Sequence, residues 1–522
     1  MKKGHTLVFT LGKARIREVF RRIGEEMSTH PSKFALTTAY TRRCARAGFE
    51  ANRESSPSLQ LQSTFVEGNE VDRASQLSIF SDGETIRIPR TTDADSSTRA
   101  LVSEGRSRIN QATLAVPGGE TVRLDSLSMT EGGWSIDEVK SGLSVKGKYV
   151  FDALISAEVA VRAGLEVANL TMIHLNSSWR LGDPQGDLFV SADITEALQD
   201  EEAIALLREY RDSIGGTTPP APTLGPGCWK GQGGDSTGKC PYFSGCFGET
   251  PNPITELSRL GDQRISMLSE SGVVDIRDIP EGFDLTPGQR ARVDFVLNGQ
   301  EHVNRDSLED SLDGISLPVR HLDFESVSFA IPIHDGVAPW GQVVTQYSIH
   351  TETEGGLAHA EHLSVIEGDG RRELAESLIR DLGSQGSIIV WNASFERARI
   401  RELAGLFQDL SEPLEAIERR LFDLLPVVRR DVLHPDFHGK TSLKVVAPVL
   451  SPGFGYQDLD IAGGGDAQGA MNLMMRGRVD EGDVPEMRER LLRYCERDTE
   501  ATVRILQALR EMIAIDTDRI EA

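Results

Sequence analysis

The chain has 522 residues, 39% of them hydrophobic, which is more than one core organises and calls for two to four domains. Its net charge of −24, from 56 Lys and Arg against 80 Asp and Glu, excludes a passive basic coat for nucleic acid. It does not exclude an enzyme that meets phosphates through bound metal ions. No apolar run reaches the length of a membrane span, and MKKGHTLVFTLGK is a poor signal peptide, so a cytoplasmic location with no membrane partner is expected.

In chain order, residues 1–26 read as an extension ahead of a second methionine, Met27. Residues 1–50 carry eleven Lys and Arg against four Glu, and KARIREVFRR reads as a solvated basic helix. TFVEGNEVDRASQLSIF predicts a helix with one apolar face. From 112 to 150 the pattern turns to strands, with paired glycines between TLAVPGG, TVRLDSLSM and GWSIDEVKSG. YVFDALISAEVAVRAGL predicts a helix ended by Gly164, and EVANLTMIHLN a strand. This β-β-β-α-β order puts Asp125 and Glu138 on neighbouring strands.

GGTTPPAPTLGPG, residues 215–227, reads as a loop or linker. Residues 253–300 read as short helices similar to a helix-hairpin element. LPVRHLDFESVSFAIPI opens a second strand-rich region and GSIIVWNASFE gives it another strand. Two helices close the chain, VPEMRERLLRYCERDTEATVRILQALREM among them.

The five cysteines are Cys44, Cys228, Cys240, Cys246 and Cys495. Three lie within nineteen residues, which points to metal or cluster ligands rather than disulfides. Cys495 reads as a core thiol on a helix.

Two constellations carry chemistry. The first is Asp125, Glu138 and Lys140. Strand side chains alternate, so Lys140 shares a face with Glu138. Two carboxylates and a lysine can hold a divalent metal and activate a water, although a salt-bridged hairpin has the same residues. The second starts from HLDFES, where Asp323 and Glu325 alternate on one strand. WNASFE adds Glu396. YCERD adds Tyr494 and Asp498, one helical turn apart. A surface-facing D-x-E is the competing reading of HLDFES. Asp423, in LFDLL, reads as either one more carboxylate or a helix-surface residue.

D-x12-E-x-K bracketed by one early and three late cysteines resembles the iron–sulfur-clamped PD-(D/E)XK nucleases of the RecB/AddB type. That resemblance implies a restriction-endonuclease-like core and a [4Fe–4S] cluster on Cys44, Cys228, Cys240 and Cys246. Four-thiolate Zn2+ is the alternative. The second constellation resembles the DEDD exonucleases of the RNase H-like fold, which implies Mg2+ or Mn2+ on Asp323, Glu325, Glu396 and Asp498, with Tyr494 orienting the water. Here N-A-S-F-E stands where that pattern has N-x-x-F-D. Together with GKTSLKVV and AGGGDAQGAM, read as backbone-positioning turns, these blocks resemble a bacterial family of uncharacterised proteins joining the two domain types, over residues 27–515. Relatives carry Gln four residues past an Asp in the helix after E-x-K; here the pair is Asp152 and Ser156.

The expectation is a multidomain α/β protein. It has an extension at 1–26, a nuclease-like domain with the cysteines at 27–250, a small helical connector at 251–314 and an exonuclease-like domain at 315–516. The expected function is a nuclease acting on DNA ends or single strands, with RNA open. A catalytically decayed binding module for nucleic acid and a zinc-stapled scaffold are the other readings.

Overall fold

The computed structural model describes residues 32–51, 58–85, 93–116, 119–225, 228, 240, 242–257, 259–353, 355–364, 367–461 and 463–520. The expected extension at 1–26 lies outside them. The protein is a mixed α/β molecule that divides into two compact units. The first comprises residues 1–233, 240–248 and 328–341; the second comprises 234–239, 249–327 and 342–522. Residues 251–314, expected as a connector, therefore belong to the second unit. Residues 328–341, expected inside the C-terminal domain, belong to the first.

The first unit begins with α1 (Lys33–Arg42), α2 (Ala45–Ala51) and α3 (Leu59–Leu77). Ser32 and Ser58 cap α1 and α3, each accepting a hydrogen bond from the amide three residues on. A six-stranded sheet follows in sequential order: β1 (Glu84–Thr85), β2 (Arg108–Ala115), β3 (Thr121–Thr130), β4 (Gly133–Lys140), β5 (Val167–Leu175) and β6 (Phe189–Asp193). Between β1 and β2 lies α4 (Asp93–Ser103). The hairpins β2–β3 and β3–β4 are antiparallel, whereas β4 and β5 are parallel. A parallel pair needs a crossover, and α5 (Gly147–Arg162) supplies it. This α5 buries Ala153, Ala157 and Ala160 against Leu124, Leu127, Ile136 and Leu170 of the sheet. The expected β-β-β-α-β order is present. Two more helices, α6 (Glu201–Gly215) and α7 (Phe243–Phe247), complete this unit. On α6, Leu207, Tyr210 and Ile214 pack with Leu36 and Phe151.

The second unit opens with α8 (Asp262–Glu270), α9 (Pro287–Asn298), the short strand β7 (His302–Val303) and α10 (Arg305–Leu312). Leu308 of α10 is fully buried in one core with Ala501, Ile505 and Leu509, so α10 is part of the domain core.

The main sheet of this unit has the order β10-β9-β8-β11-β12. Its strands are β8 (Arg320–Ser328), β9 (Gln342–Thr353), β10 (Gly356–Leu363), β11 (Ile388–Val390) and β12 (Leu421–Asp423). The hairpin β9–β10 is antiparallel, and β11 runs parallel to both β8 and β12. Close approach of β11 to β8 depends on Gly386, at φ +80, where a Cβ would meet the Pro318 carbonyl oxygen at 1.9 Å.

Around this sheet lie α11 (Arg371–Leu382), α12 (Ser394–Leu406), α13 (Ser411–Arg419), α14 (Leu424–Asp431), α15 (Leu443–Leu450), α16 (Gly464–Met475) and the long α17 (Val484–Ile520). The strand β13 (Val432–Leu433) pairs with β7. No helix is long and apolar enough to cross a membrane among the described residues.

Candidate metal centre

Strand β8 is central in its sheet, with Leu322 and Phe324 buried in the core on one face. Alternation sends Asp323 and Glu325 to the other face, towards α17. Asp498 comes from α17. One ligand oxygen from each of Asp323, Glu325 and Asp498 lies within 4.8 Å of the others. HLDFES is thus half of a carboxylate cluster and not a surface pair.

Glu396 reaches the same field by a separate route. Strand β11 ends at Val390, and Asn392 turns the chain with φ 70, a left-handed conformation that asparagine tolerates. The Asp423 carboxylate fixes this turn, accepting from the Asn392 and Ala393 amides at 3.0 Å each and from Leu425 N at 3.1 Å. Glu396 then sits in the first turn of α12, buried, with its Oε2 making no hydrogen bond among the described residues. Asp423 is a clamp at the end of β12, where its carboxylate holds the turn that leads to Glu396.

Electrostatics show the strain of gathering these groups. Desolvation pushes Glu325 up to about 8, with Asp498 adding to the rise. Desolvation raises Asp323 well above the ordinary carboxylate range, and Asp498, Glu325 and Glu396 push the same way. Burial also pushes Glu396 up to about 8, and Asp423 contributes. Asp498 is raised by desolvation, against the pull of Lys444 and the hydroxyl of Tyr456.

Four further side chains complete the site. Lys444 Nζ donates to Tyr494 Oη at 2.9 Å and lies over both the Tyr456 and Tyr494 rings. Tyr456 Oη donates to Asp498 Oδ1 at 2.6 Å. Tyr494, expected as a catalytic residue, is buried, and desolvation next to Asp498 keeps it a phenol. Cys495 is the buried thiol its sequence predicts, but it also touches the site, with Sγ 3.6 Å from Asp323 Oδ2.

The first unit holds its own charged group. Asp125 Oδ2 accepts from Val139 N at 2.7 Å, which locks β3 to β4. Lys140 Nζ lies 3.0 Å from Glu138 Oε2 and pairs still more closely with Asp152. A second lysine, Lys33 of α1, sits 3.1 Å from Glu138 and 3.0 Å from Asp152. Ser156 donates to Glu138 Oε1 at 2.5 Å and accepts from Lys33 at 2.6 Å. Ser156 is therefore a member of the group. Desolvation pushes Asp125 up to about 7, with Glu138 and Asp72 contributing. Burial alone would raise Glu138, but Lys140 and Lys33 outweigh it and hold its carboxyl down.

The two groups differ in charge balance. Asp323, Glu325, Glu396 and Asp498 face Lys444, plus an Arg497 already paired with Asp458. Asp125, Glu138 and Asp152 face two lysines held in direct contact. The larger excess of negative charge lies in the second unit.

The cysteines Cys44, Cys228, Cys240 and Cys246 are all free thiols in the first unit. Cys44, Cys240 and Cys246 all lie within electrostatic reach of Cys228, and Cys240 N donates to Cys228 O at 2.7 Å. Desolvation pushes Cys228 up to about 12, with the other three thiols adding to it. Burial raises Cys240 and Cys246 too, opposed by Arg42 and Arg46 respectively. The expected ligand set is thus brought together.

Sequence reasoning missed Lys33, Asp72, Lys444 and Tyr456. Lys444 lies within GKTSLKVV, read as a turn, yet it occupies the first turn of α15. Tyr456 carries no local signal.

Comparison with known proteins places part of this site in a recognised block. The family described as Domain of unknown function (DUF2779) matches residues 320–442, which include Asp323, Glu325, Glu396 and Asp423. The chain is 26% identical over 213 residues to the uncharacterized protein MG366 of Mycoplasma genitalium, covering 37% of this chain and 32% of that one. It is 27% identical over the same length to the MG366 homolog of Mycoplasma pneumoniae, again 37% and 32%. Protein UU173 of Ureaplasma parvum is 23% identical over 217 residues, covering 37% and 31%. The chain spans about a third of the length of these curated relatives. No solved structure matches it.

Proposed function

We propose that the protein is a metal-dependent nuclease whose reaction centre is the carboxylate cluster of the second unit. The observation that carries this reading is the convergence of Asp323, Glu325 and Asp498 within 4.8 Å, with buried Glu396 beside them and too little positive charge to balance them. Half-buried carboxylates at such spacing repel one another unless protons or cations intervene. Hard divalent cations with oxygen ligands suit them.

Mg2+ or Mn2+ on Asp323, Glu325, Glu396 and Asp498 would supply an activated water and stabilise the charge building on a phosphodiester. The chain's own groups do the rest. Tyr456 and Cys495 hold Asp498 and Asp323 in orientation through hydrogen bonds. Tyr494 stays protonated and presents a hydroxyl donor, with Lys444 beside it to meet phosphate charge. The order β10-β9-β8-β11-β12, with the carboxylates on the central strand and a long helix, supports an RNase H-like domain of the DEDD type.

In the first unit, α3, the three antiparallel strands, α5 and β5 support a PD-(D/E)XK-like core. Its Glu138 and Asp152 are already paired with both Lys33 and Lys140, which favours a binding role for this unit over cleavage. The four clustered thiols fit a [4Fe–4S] cluster there. No three of them fall among the ligand groups closer than 4.8 Å found among the described residues, whereas tetrahedral zinc needs sulfurs about 3.8 Å apart. Nucleic acid is the proposed partner of both units.

The test is degradation of end-labelled single- and double-stranded DNA and RNA with Mg2+ or Mn2+. Wild type, Asp323→Asn, Asp498→Asn and Lys140→Ala are compared. Both aspartate variants lose all cleavage and Lys140→Ala keeps it. Cleavage that survives Asp323→Asn overturns the assignment. Wild type that binds nucleic acid without cutting it leaves the binding module as the function.

A further inference from the structure

On the hairpin β9–β10, His350 and His359 are directly paired across the two strands, and their rings lie 4.6 Å apart. Glu496 of α17 approaches them, with Oε1 3.8 Å from His359 Nδ1. Each of the three offers one ligand atom, and these atoms all lie within 4.8 Å of one another. The group is separate from the carboxylate cluster, because Glu496 is two residues from Asp498 and so points to another side of α17.

The far nitrogen of each imidazole is tied to a buried hydroxyl. His350 Nδ1 lies 2.8 Å from Thr499 Oγ1 and His359 Nε2 lies 2.9 Å from Ser348 Oγ, and the two hydroxyls are 2.8 Å apart. These bonds leave out His350 Nε2 and His359 Nδ1, and the latter faces Glu496. Ser348 and Thr499 are fully buried, so this arrangement is built into the core. Holding the ring through its far nitrogen is what the surroundings of metal-bound histidines do.

We propose that His350, His359 and Glu496 form a second metal site, which takes a zinc-class transition ion and ties the β9–β10 hairpin to α17. Two imidazoles and one carboxylate suit zinc and its neighbours, and they suit magnesium poorly. Zinc–nitrogen bonds of about 2.0–2.1 Å would draw the ligands closer than they stand, a movement within reach of the side chains. The site acts as a clasp on the helix that carries Tyr494 and Asp498.

Cobalt is the probe. The full chain is stripped with chelator, returned to saturating Mg2+, and titrated with Co2+ by equilibrium dialysis and visible absorption. Wild type, His359→Ala, Glu496→Gln and Asp323→Asn are compared, with melting temperature recorded for each. His359→Ala and Glu496→Gln each bind one equivalent fewer than wild type, and the absorption they lose is a weak visible band without thiolate charge transfer. Both also lose the rise in melting temperature that Co2+ gives wild type. Asp323→Asn keeps the equivalent, which separates this site from the nuclease centre. If both variants, melting like wild type in chelator, bind as many equivalents as wild type, the site does not exist. Should one variant fail to fold, the other carries the test.

Discussion

Tyr456 donates its hydroxyl to Asp498 across 2.6 Å, and so fixes the carboxylate that α17 contributes to the cluster. The Tyr456 side chain is buried, and its phenol is raised above its ordinary range by desolvation and by Asp498 itself, so it remains a donor. Tyr456→Phe removes this bond and little volume. We expect metal affinity at the cluster to fall about tenfold, as for other outer partners of metal ligands, with cleavage falling in parallel and circular dichroism unchanged. Isothermal titration with Mn2+ checks the first, and a variant that binds as wild type does removes Tyr456 from the site.

Stability of the metal-free protein depends on pH through the same carboxylates. Glu325 and Glu396 stand near 8 in the folded chain and at 4.5 when unfolded. Between those values the folded chain holds protons that the unfolded chain has released. The stabilisation these protons give is complete below about 4.5 and is lost as pH rises through about 8. The metal-free melting temperature is expected to fall by roughly 5 °C or more from pH 5 to pH 8, and Mn2+ to raise it further at pH 8 than at pH 6. Asp125 titrates with the same sign in the first unit. Glu325→Gln with Glu396→Gln isolates the second unit, because in that variant the metal response vanishes while the Asp125 part of the slope stays.

Lys33 is a structural cation by its contacts. It bridges Glu138, which is 3% exposed, to Asp152 and to Ser156. Lys33→Met leaves two acids with Lys140 alone. Breaking a buried pair costs 3–5 kcal/mol, and partial exposure of this lysine lowers that to about 2 kcal/mol, or about 6 °C in melting temperature. Differential scanning calorimetry reads the shift directly. An unchanged melting temperature shows that Lys140 suffices.

Cys44→Ser should loosen the first unit selectively. Cys44 follows α1 and lies within electrostatic reach of Cys228, Cys240 and Cys246, so a cluster on the four thiols would join the start of the unit to its end. Limited proteolysis is expected to cut the variant within residues 32–248 while fragments of the second unit persist. Equal protection in variant and wild type removes the cysteines from any stapling role.

Much of this was readable in the residues. Alternation in TVRLDSLSM and GWSIDEVK gave β3 and β4 and put Asp125 beside Glu138. The D-x-E of β8 and the four-residue step from Tyr494 to Asp498 gave three of the four carboxylates and the tyrosine. These signals are local, and local periodicity survives folding. What failed was long-range or overridden. SIIVWNASFE reads as a strand, but only Ile388–Val390 is one, because Asp423 captures two amides and forces the turn at Asn392. AGGGDAQGAM reads as a turn for its glycines, yet it forms α16, because Ala467, Ala470, Met471 and Met474 are buried on it. Lys33 and Lys444 approach their carboxylates from helices distant in sequence, and no spacing rule announces that.

Residues 328–341 belong to the first unit while their flanks, β8 and β9, belong to the second. Ala330 N donates to Glu67 Oε2 at 2.7 Å, Trp340 Nε1 donates to Ser141 O at 2.5 Å, and Ala330 packs with Val71, Leu175 and Trp179. The chain therefore returns to its first unit after most of β8 has been laid down in the second. A gene cut at residue 249 would deny the upstream product this plug, leaving a greasy hollow around Trp179 and a buried glutamate without its amide, while the downstream product would carry the plug as a bare, sticky loop. Recombination that shuffles whole domains has no clean seam here.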